Sequence, residues 1–222
     1  MLTDLAGFKS LEVIEGEVLF IWNNDNLQSL YGLSSLKKIN GDLLIGHNPK
    51  LNSLINLLEL DSINGEIIIE NNEALTSLQG LNNINPNNIK RLTIFRCKEL
   101  SECSIQNICQ YLNSDFNTHD ISQNKINCNS KEEIKSNCNL SSTNDKSFFP
   151  KLSVYPNPVY DHLSIETEID FEIKIYNSSG GLVSCNRLNK NLFSLKNIPP
   201  GLYFLSIYNS SNGYIFKKII KK

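Results

Sequence analysis

The chain has 222 residues, room for one or two domains, and its 40% hydrophobic content is enough for a core. A net charge of −2 argues against a nucleic-acid partner, and no stretch approaches the ~20 apolar residues that a membrane helix needs. Charge is divided unevenly: 13 basic and 18 acidic side chains leave residues 1–151 at −5, while 8 and 5 leave residues 152–222 at +3. The basic surplus runs into Lys217-Lys218-Ile219-Ile220-Lys221-Lys222, read as a solvated strand end, with a recognition tag as the sharper alternative.

The pattern starts at once. Leu2 and Leu5 stand where Leu27 and Leu30 stand in the next copy, so Met1 falls inside a repeat. Nothing before it resembles the polar cap that a terminal repeat needs, and no basic segment followed by an apolar run marks a signal peptide. The expectation is a fragment or a misplaced start, with repeats missing upstream. The alternative is a short stack with a frayed first turn.

Residues 7 to about 101 repeat one phrase. It reads Gly41-Asp42-Leu43-Leu44-Ile45-Gly46-His47-Asn48 and again Gly65-Glu66-Ile67-Ile68-Ile69-Glu70-Asn71-Asn72. A longer copy spans Gly16 to Asn24, and a degenerate one Lys90 to Cys97. Asn24, Asn48 and Asn72 are 24 apart, as are Leu27, Leu51 and Leu75, then Leu30, Leu54 and Leu78, then Leu33, Leu57 and Leu81. This period, with Leu-x-Leu-x-x-Asn leading into Leu-x-x-Leu, is the sign of a leucine-rich solenoid. Period-two alternation turns Leu19 and Ile21, Leu43 and Ile45, and Ile67 and Ile69 inward. One turn cannot bury these alone; stacked turns close a continuous core. Each Asn is expected to satisfy backbone groups of its own and the adjacent turn. Gly41 and Gly65 are expected at tight corners with positive φ.

The alternate residues face outward in three columns. The first is Phe20, Leu44, Ile68 and Thr93. The second is Trp22, Gly46, Glu70 and Phe95. The third, at the strand ends, is Asn23, His47, Asn71 and Arg96. An apolar stripe on an exposed sheet marks a partner surface. The candidate ligand residues are Phe20, Trp22, Leu44, His47, Ile68, Glu70 and Phe95, with Trp22 and Phe95 as aromatic anchors. The plainer alternative is that neighbouring side chains or the second domain cover the stripe.

The periodicity stops after Leu100. Ile105, Ile108 and Leu112 share one helical face, and Ser130 with Glu133 forms a capping box for a second short helix. Cys103, Cys109, Cys128 and Cys138 fit two disulfides closing the end of the solenoid, in an oxidising compartment. Three pairings are open, with Cys103–Cys128 plus Cys109–Cys138 favoured. Zinc is the rival, but no Cys-x-x-Cys is present. Cys97 takes the Asn position as a small buried hydrophobe, and Cys185 is expected unpaired. Residues 139–151 are polar and patternless, a linker. From Leu152 short alternating strands follow: Leu152-Ser153-Val154-Tyr155, Leu163-Ser164-Ile165, Phe171 to Tyr176, Leu182-Val183, Leu202 to Tyr208 and Tyr214 onward. Turns are expected at Gly180-Gly181, Pro199-Pro200-Gly201 and Asn212-Gly213. The fold class is mainly β: a short leucine-rich-repeat solenoid (1–138) with a disulfide-closed helical C-cap, then a small Ig-like β-sandwich (152–222).

Two resemblances rest on these residues. Residues 2–138 resemble the receptor L-domain-like leucine-rich repeat proteins of Bacteroidetes, on the Gly41 to Asn48 strand phrase, the Leu-x-x-Leu runs, and the cap from Cys103 to Leu112 with Cys128-Asn129-Ser130. Residues 152–222 resemble the C-terminal sorting domain of type IX secretion cargo. That likeness rests on Tyr155-Pro156-Asn157-Pro158, on Ile175-Tyr176-Asn177 before Gly180, on Leu195 to Tyr203 around Pro200-Gly201, and on the basic end. It implies export across an outer membrane, removal of this domain, and release or attachment at the cell surface. The lack of a signal peptide departs from that family's pattern.

No catalytic constellation stands out. His47, His119 and His162 are scattered surface histidines: one at a strand end, one in the cap, one in the terminal domain. Glu132-Glu133 suits a helix start, and Asn23-Asn24-Asp25-Asn26 is a turn without a calcium-loop pattern. The expectation is a non-enzymatic, secreted or outer-membrane surface protein without cofactor or metal, binding an extracellular protein or glycan. Its other partner is the type IX secretion machinery, met through residues 152–222. The alternatives are spacer repeats of a larger adhesin, or a fragment of a secreted hydrolase with its catalytic domain upstream.

Overall fold

The structure is a computed structural model that describes residues 2–138, 152–209 and 213–222. The expected linker at 139–151 and the turn residue Asn212 lie outside the described residues. The chain forms two compact units, Met1–Cys138 and Asn139–Lys222.

In the first unit each turn of chain adds one short strand to the larger of two parallel sheets, and the first three turns also add one to the smaller. The smaller sheet holds β1 (Val13–Ile14), β3 (Lys38–Ile39) and β5 (Ser62–Ile63). The larger runs β2-β4-β6-β7-β8: Val18–Trp22, Asp42–Gly46, Glu66–Glu70, Arg91–Phe95 and Thr118–Ser122. Register follows the repeat. Leu43 pairs with Leu19 on one side and Ile67 on the other, and Ile45 with Ile21 and Ile69. Leu27, Leu51 and Leu75, with Leu30, Leu54 and Leu78, are buried between the sheets in one continuous core. Each such side chain contributes about 1.5–3 kcal/mol by leaving water.

The asparagines form a buried ladder. The Asn24 and Asn48 amide N–H groups donate to Oδ1 of Asn48 and Asn72, each at 3.1 Å. Asn48 Nδ2 donates to the Ile21 and Gly46 carbonyls at 3.0 and 2.9 Å, and Asn72 Nδ2 to Ile45 at 2.9 Å. Each side chain thus satisfies groups that the strand pairing leaves over where the chain turns inward. Cys97 holds the fourth rung as a buried thiol. Its Sγ lies 3.9 Å from the Ile69 carbonyl, and burial pushes the thiol up to about 11. Between each strand and its rung sits one residue in the left-handed region: Asn23, His47, Asn71, Arg96 and Gln123 have φ of 57, 54, 50, 53 and 57°. This one-residue reversal directs the next side chain into the core.

Two expectations are corrected here. Gly41 and Gly65 do not take positive φ. Glycine is needed there because successive turns touch: a Cβ on Gly41 would run into the Glu17 backbone, and one on Gly65 into the Asp42 carboxylate and Gly41. The periodicity also continues past Leu100. The fifth strand, β8, carries His119 half-buried, so this histidine is not in the cap proper. Asn124 supplies a fifth rung, accepting from Cys97 N–H at 2.9 Å and donating to Ile94 O at 2.8 Å. The inserted helix α1 (Gln106–Asn113) stretches that repeat and hides it.

The closing segment joins α1 to α2 (Lys131–Ser136) through Cys103–Cys128 and Cys109–Cys138, at S–S distances of 2.03 and 1.97 Å. This is the favoured pairing. Cys103 falls 25 residues after Leu78, in a leucine position, so its disulfide works as a covalent rung. Ser130 caps α2 by accepting from Glu133 N–H, while the Glu133 carboxylate accepts from Asn129 N–H and not from that of Ser130. Asn107, buried on α1, donates to the Leu81 and Ile84 carbonyls of the preceding turn.

The second unit holds two antiparallel four-stranded sheets. One has the order β13-β14-β10-β9: Asn186–Arg187, Leu192–Ser194, His162–Glu166 and Ser153–Tyr155. The other has the order β12-β11-β15-β16: Leu182–Val183, Glu172–Asn177, Gly201–Asn209 and Gly213–Lys221. Leu163, Ile165 and Phe193 of the first sheet share one core with Ile175, Leu205, Ile207 and Ile219 of the second. The strands β13 and β14 are too short to show as alternation. Cys185 is free, as expected.

Replacing Asn48 by Leu strands three buried or half-buried backbone groups at about 1–3 kcal/mol each. Urea unfolding of Asn48→Leu is expected to show a loss of at least about 3 kcal/mol.

Candidate functional site

The outward columns stand in line across the larger sheet. Phe20, Leu44, Ile68 and Thr93 are register partners in sequence, as are Trp22, Gly46, Glu70 and Phe95. The fifth strand extends them with Asp120 and Ser122, residues that the interrupted period concealed. Parallel strands about 4.8 Å apart place Phe95 roughly 14 Å from Trp22. The two expected anchors therefore belong to separate ends of the face.

At the β2 end the rings form a cluster. Phe20 and Trp22 stack with centroids 5.2 Å apart and planes 11° from parallel. Trp22 also lies over Gly46, where any Cβ would collide with the indole, and tilts against His47 with centroids 5.1 Å apart. A small residue in one turn thus makes the seat for a large one in the turn before. Phe20 is 58% exposed, although a phenylalanine gains by burial. Leu44 and Ile68 continue the stripe half-buried.

Beside the rings is a polar trio. His47 Nε2 lies 3.3 Å from Glu70 Oε1 and 3.2 Å from Asn71 Nδ2, and Asn71 Nδ2 donates to the same Glu70 oxygen at 3.3 Å. Asn71 was not among the expected ligand residues; its left-handed backbone brings it into this group. At the other end the Arg96 guanidinium lies 4.8 Å from the centre of the Phe95 ring and donates to Gln123. Phe95 is therefore partly covered by its own neighbour. Among the described residues no cluster of three or more His, Cys, Asp or Glu is placed to hold a metal ion.

The second unit has its own distinctive feature. Asn157, in the Tyr155-Pro156-Asn157-Pro158 segment, pairs through its side chain with the backbone of β16. Nδ2 donates to the Lys218 carbonyl at 3.0 Å, and Oδ1 accepts from Ile220 N–H at 2.9 Å. The amide stands in for a peptide unit. Two residues on, the main chain takes over: Val159 N–H donates to Ile220 O at 2.7 Å, and Lys222 N–H to Val159 O at 2.9 Å. The start of this unit thus clasps its terminal strand along an edge that would otherwise be open. The same strand carries the basic end, with Lys217 and Lys222 exposed.

Residues 153–222 match the family model described as a secretion system C-terminal sorting domain. No curated protein matches the chain. No helix among the described residues is long and apolar enough to cross a membrane. The sorting domain marks the chain as one exported to the cell surface or secreted.

Each hydrogen bond to Asn157 contributes about 0.5–1.5 kcal/mol. In Asn157→Ala, carboxypeptidase B is expected to trim the terminal lysines about tenfold faster, the factor that ~1.4 kcal/mol gives, with the midpoint of global unfolding little changed. Equal trimming of wild type and variant refutes the clasp.

Proposed function

We propose that this chain is an exported binding protein. Residues 1–138 are read as a leucine-rich-repeat solenoid of the receptor L-domain type, and its larger sheet meets an extracellular protein or glycan. Residues 152–222 are read as the address for type IX secretion, an Ig-like sandwich recognised by that machinery. The observation that carries the binding reading is the parallel pair Phe20–Trp22, with Phe20 largely exposed, bordered by His47, Glu70 and Asn71. A chain folding for stability alone gains by covering such a pair. The activity read here is adhesion without catalysis. Gly46 supports it by leaving room for Trp22, and Leu44 and Ile68 by continuing the apolar line.

A spacer role within a larger adhesin is the second reading. Its support is the regularity of contacts between turns, which extends to surface ion pairs. Lys37–Glu12, Lys98–Glu73 and Lys125–Glu99 join successive turns at 2.7, 3.5 and 2.7 Å. Exposed pairs add little stability each, but they reward one stacking order.

Surface adhesion separates the two. Trp22→Ala and Phe95→Ala are expected to abolish adhesion of displaying cells while circular dichroism stays unchanged; adhesion that survives both favours the spacer. Removing residues 152–222 is expected to strand the product in the periplasm, checked by fractionation. Normal display of the shortened chain refutes the address.

A further inference from the structure

We propose that the Phe20–Trp22 end of the sheet binds a neutral saccharide chain. The sugar residues lie on the aromatic pair, and their hydroxyl groups meet Glu70, His47 and Asn71. This inference rests on the binding reading above and narrows it to one ligand class.

The chemistry of the site selects that class. A pyranose presents C–H bonds on its faces and hydroxyl groups around its rim. The C–H face suits the negative face of an aromatic ring. The rim needs side chains that donate and accept, such as carboxylate, amide and imidazole. The β2 end offers both within adjacent turns. Phe20 supplies exposed ring area, and the indole reaches over Gly46 toward the trio of His47, Glu70 and Asn71. These three groups hold one another at 3.2–3.3 Å, so ordering them costs the ligand little.

A protein partner suits the site less well. The centres of protein interfaces are depleted of charged groups, yet here Glu70 stands directly beside the ring cluster. Charge narrows the saccharide further. The outward positions of the sheet carry Asp42, Glu66, Glu70 and Asp120 against Arg91, with Arg96 at the far strand end. The excess of carboxylates repels acidic polysaccharides and leaves neutral ones.

Trp22 is the only tryptophan in the chain, so its fluorescence reports this site and no other. The test is a titration of the full chain with cellohexaose, xylohexaose, maltohexaose and chitohexaose, with hexagalacturonate as the acidic comparison. At least one neutral hexamer is expected to change Trp22 emission saturably. Phe20→Ala and Glu70→Gln are each expected to weaken that response about tenfold, and hexagalacturonate to leave the emission unchanged. A response that is equal in Phe20→Ala overturns the placement. If no hexamer acts while adhesion still depends on Trp22 and Phe95, the ligand is not a neutral saccharide and the binding reading survives. If neither hexamers nor adhesion respond, both fall.

Discussion

The first unit depends on a buried amide. Each turn of chain must leave its strand and reverse, and the reversal exposes backbone groups in the middle of an apolar stack. Leucines cannot satisfy them. One asparagine per turn can, because it carries both a donor and an acceptor on a short stem. Asn48 does this for Asn24, Ile21 and Gly46 at once. The aliphatic columns then stack around satisfied backbone groups. The ladder sets the pitch, the pitch aligns the outward columns, and the alignment puts Trp22 over Gly46.

Much of this was legible because the relevant physics is periodic. Inward leucines, rung asparagines and outward columns recur at 24, and at 25 into the fourth copy, and recurrence identifies a position even when one copy is degenerate. Cys97 could be placed on the ladder for that reason alone. Legibility failed where the period was broken. Asn124 and the strand before it follow an inserted helix, so no fixed offset pointed to them. The glycine corners differ from expectation for another reason. A glycine needed for φ and one needed for close approach look the same in sequence, and only the distance between turns tells them apart.

The candidate site divides along the same line. Which side chains share a column could be read from alternation. How they touch could not. The left-handed residue after each strand is invisible to propensity, since histidine, arginine and glutamine take the conformation at an energetic cost. Yet that conformation draws His47 and Asn71 together and turns Arg96 onto Phe95. The clasp in the second unit was hidden more deeply. Asn157 and Ile220 are 63 residues apart, and no local pattern connects a loop asparagine to a strand at the far end of the domain.

The thiol at position 97 has a mechanical consequence. Amide rungs bridge neighbouring turns at 2.8–3.1 Å, but here the sulfur and the Ile69 oxygen are 3.9 Å apart. The covalent rungs begin only beyond this point, at Cys103. The side-chain ladder is therefore at its weakest between the third and fourth turns, where the backbone pairing of β6 with β7 carries the join.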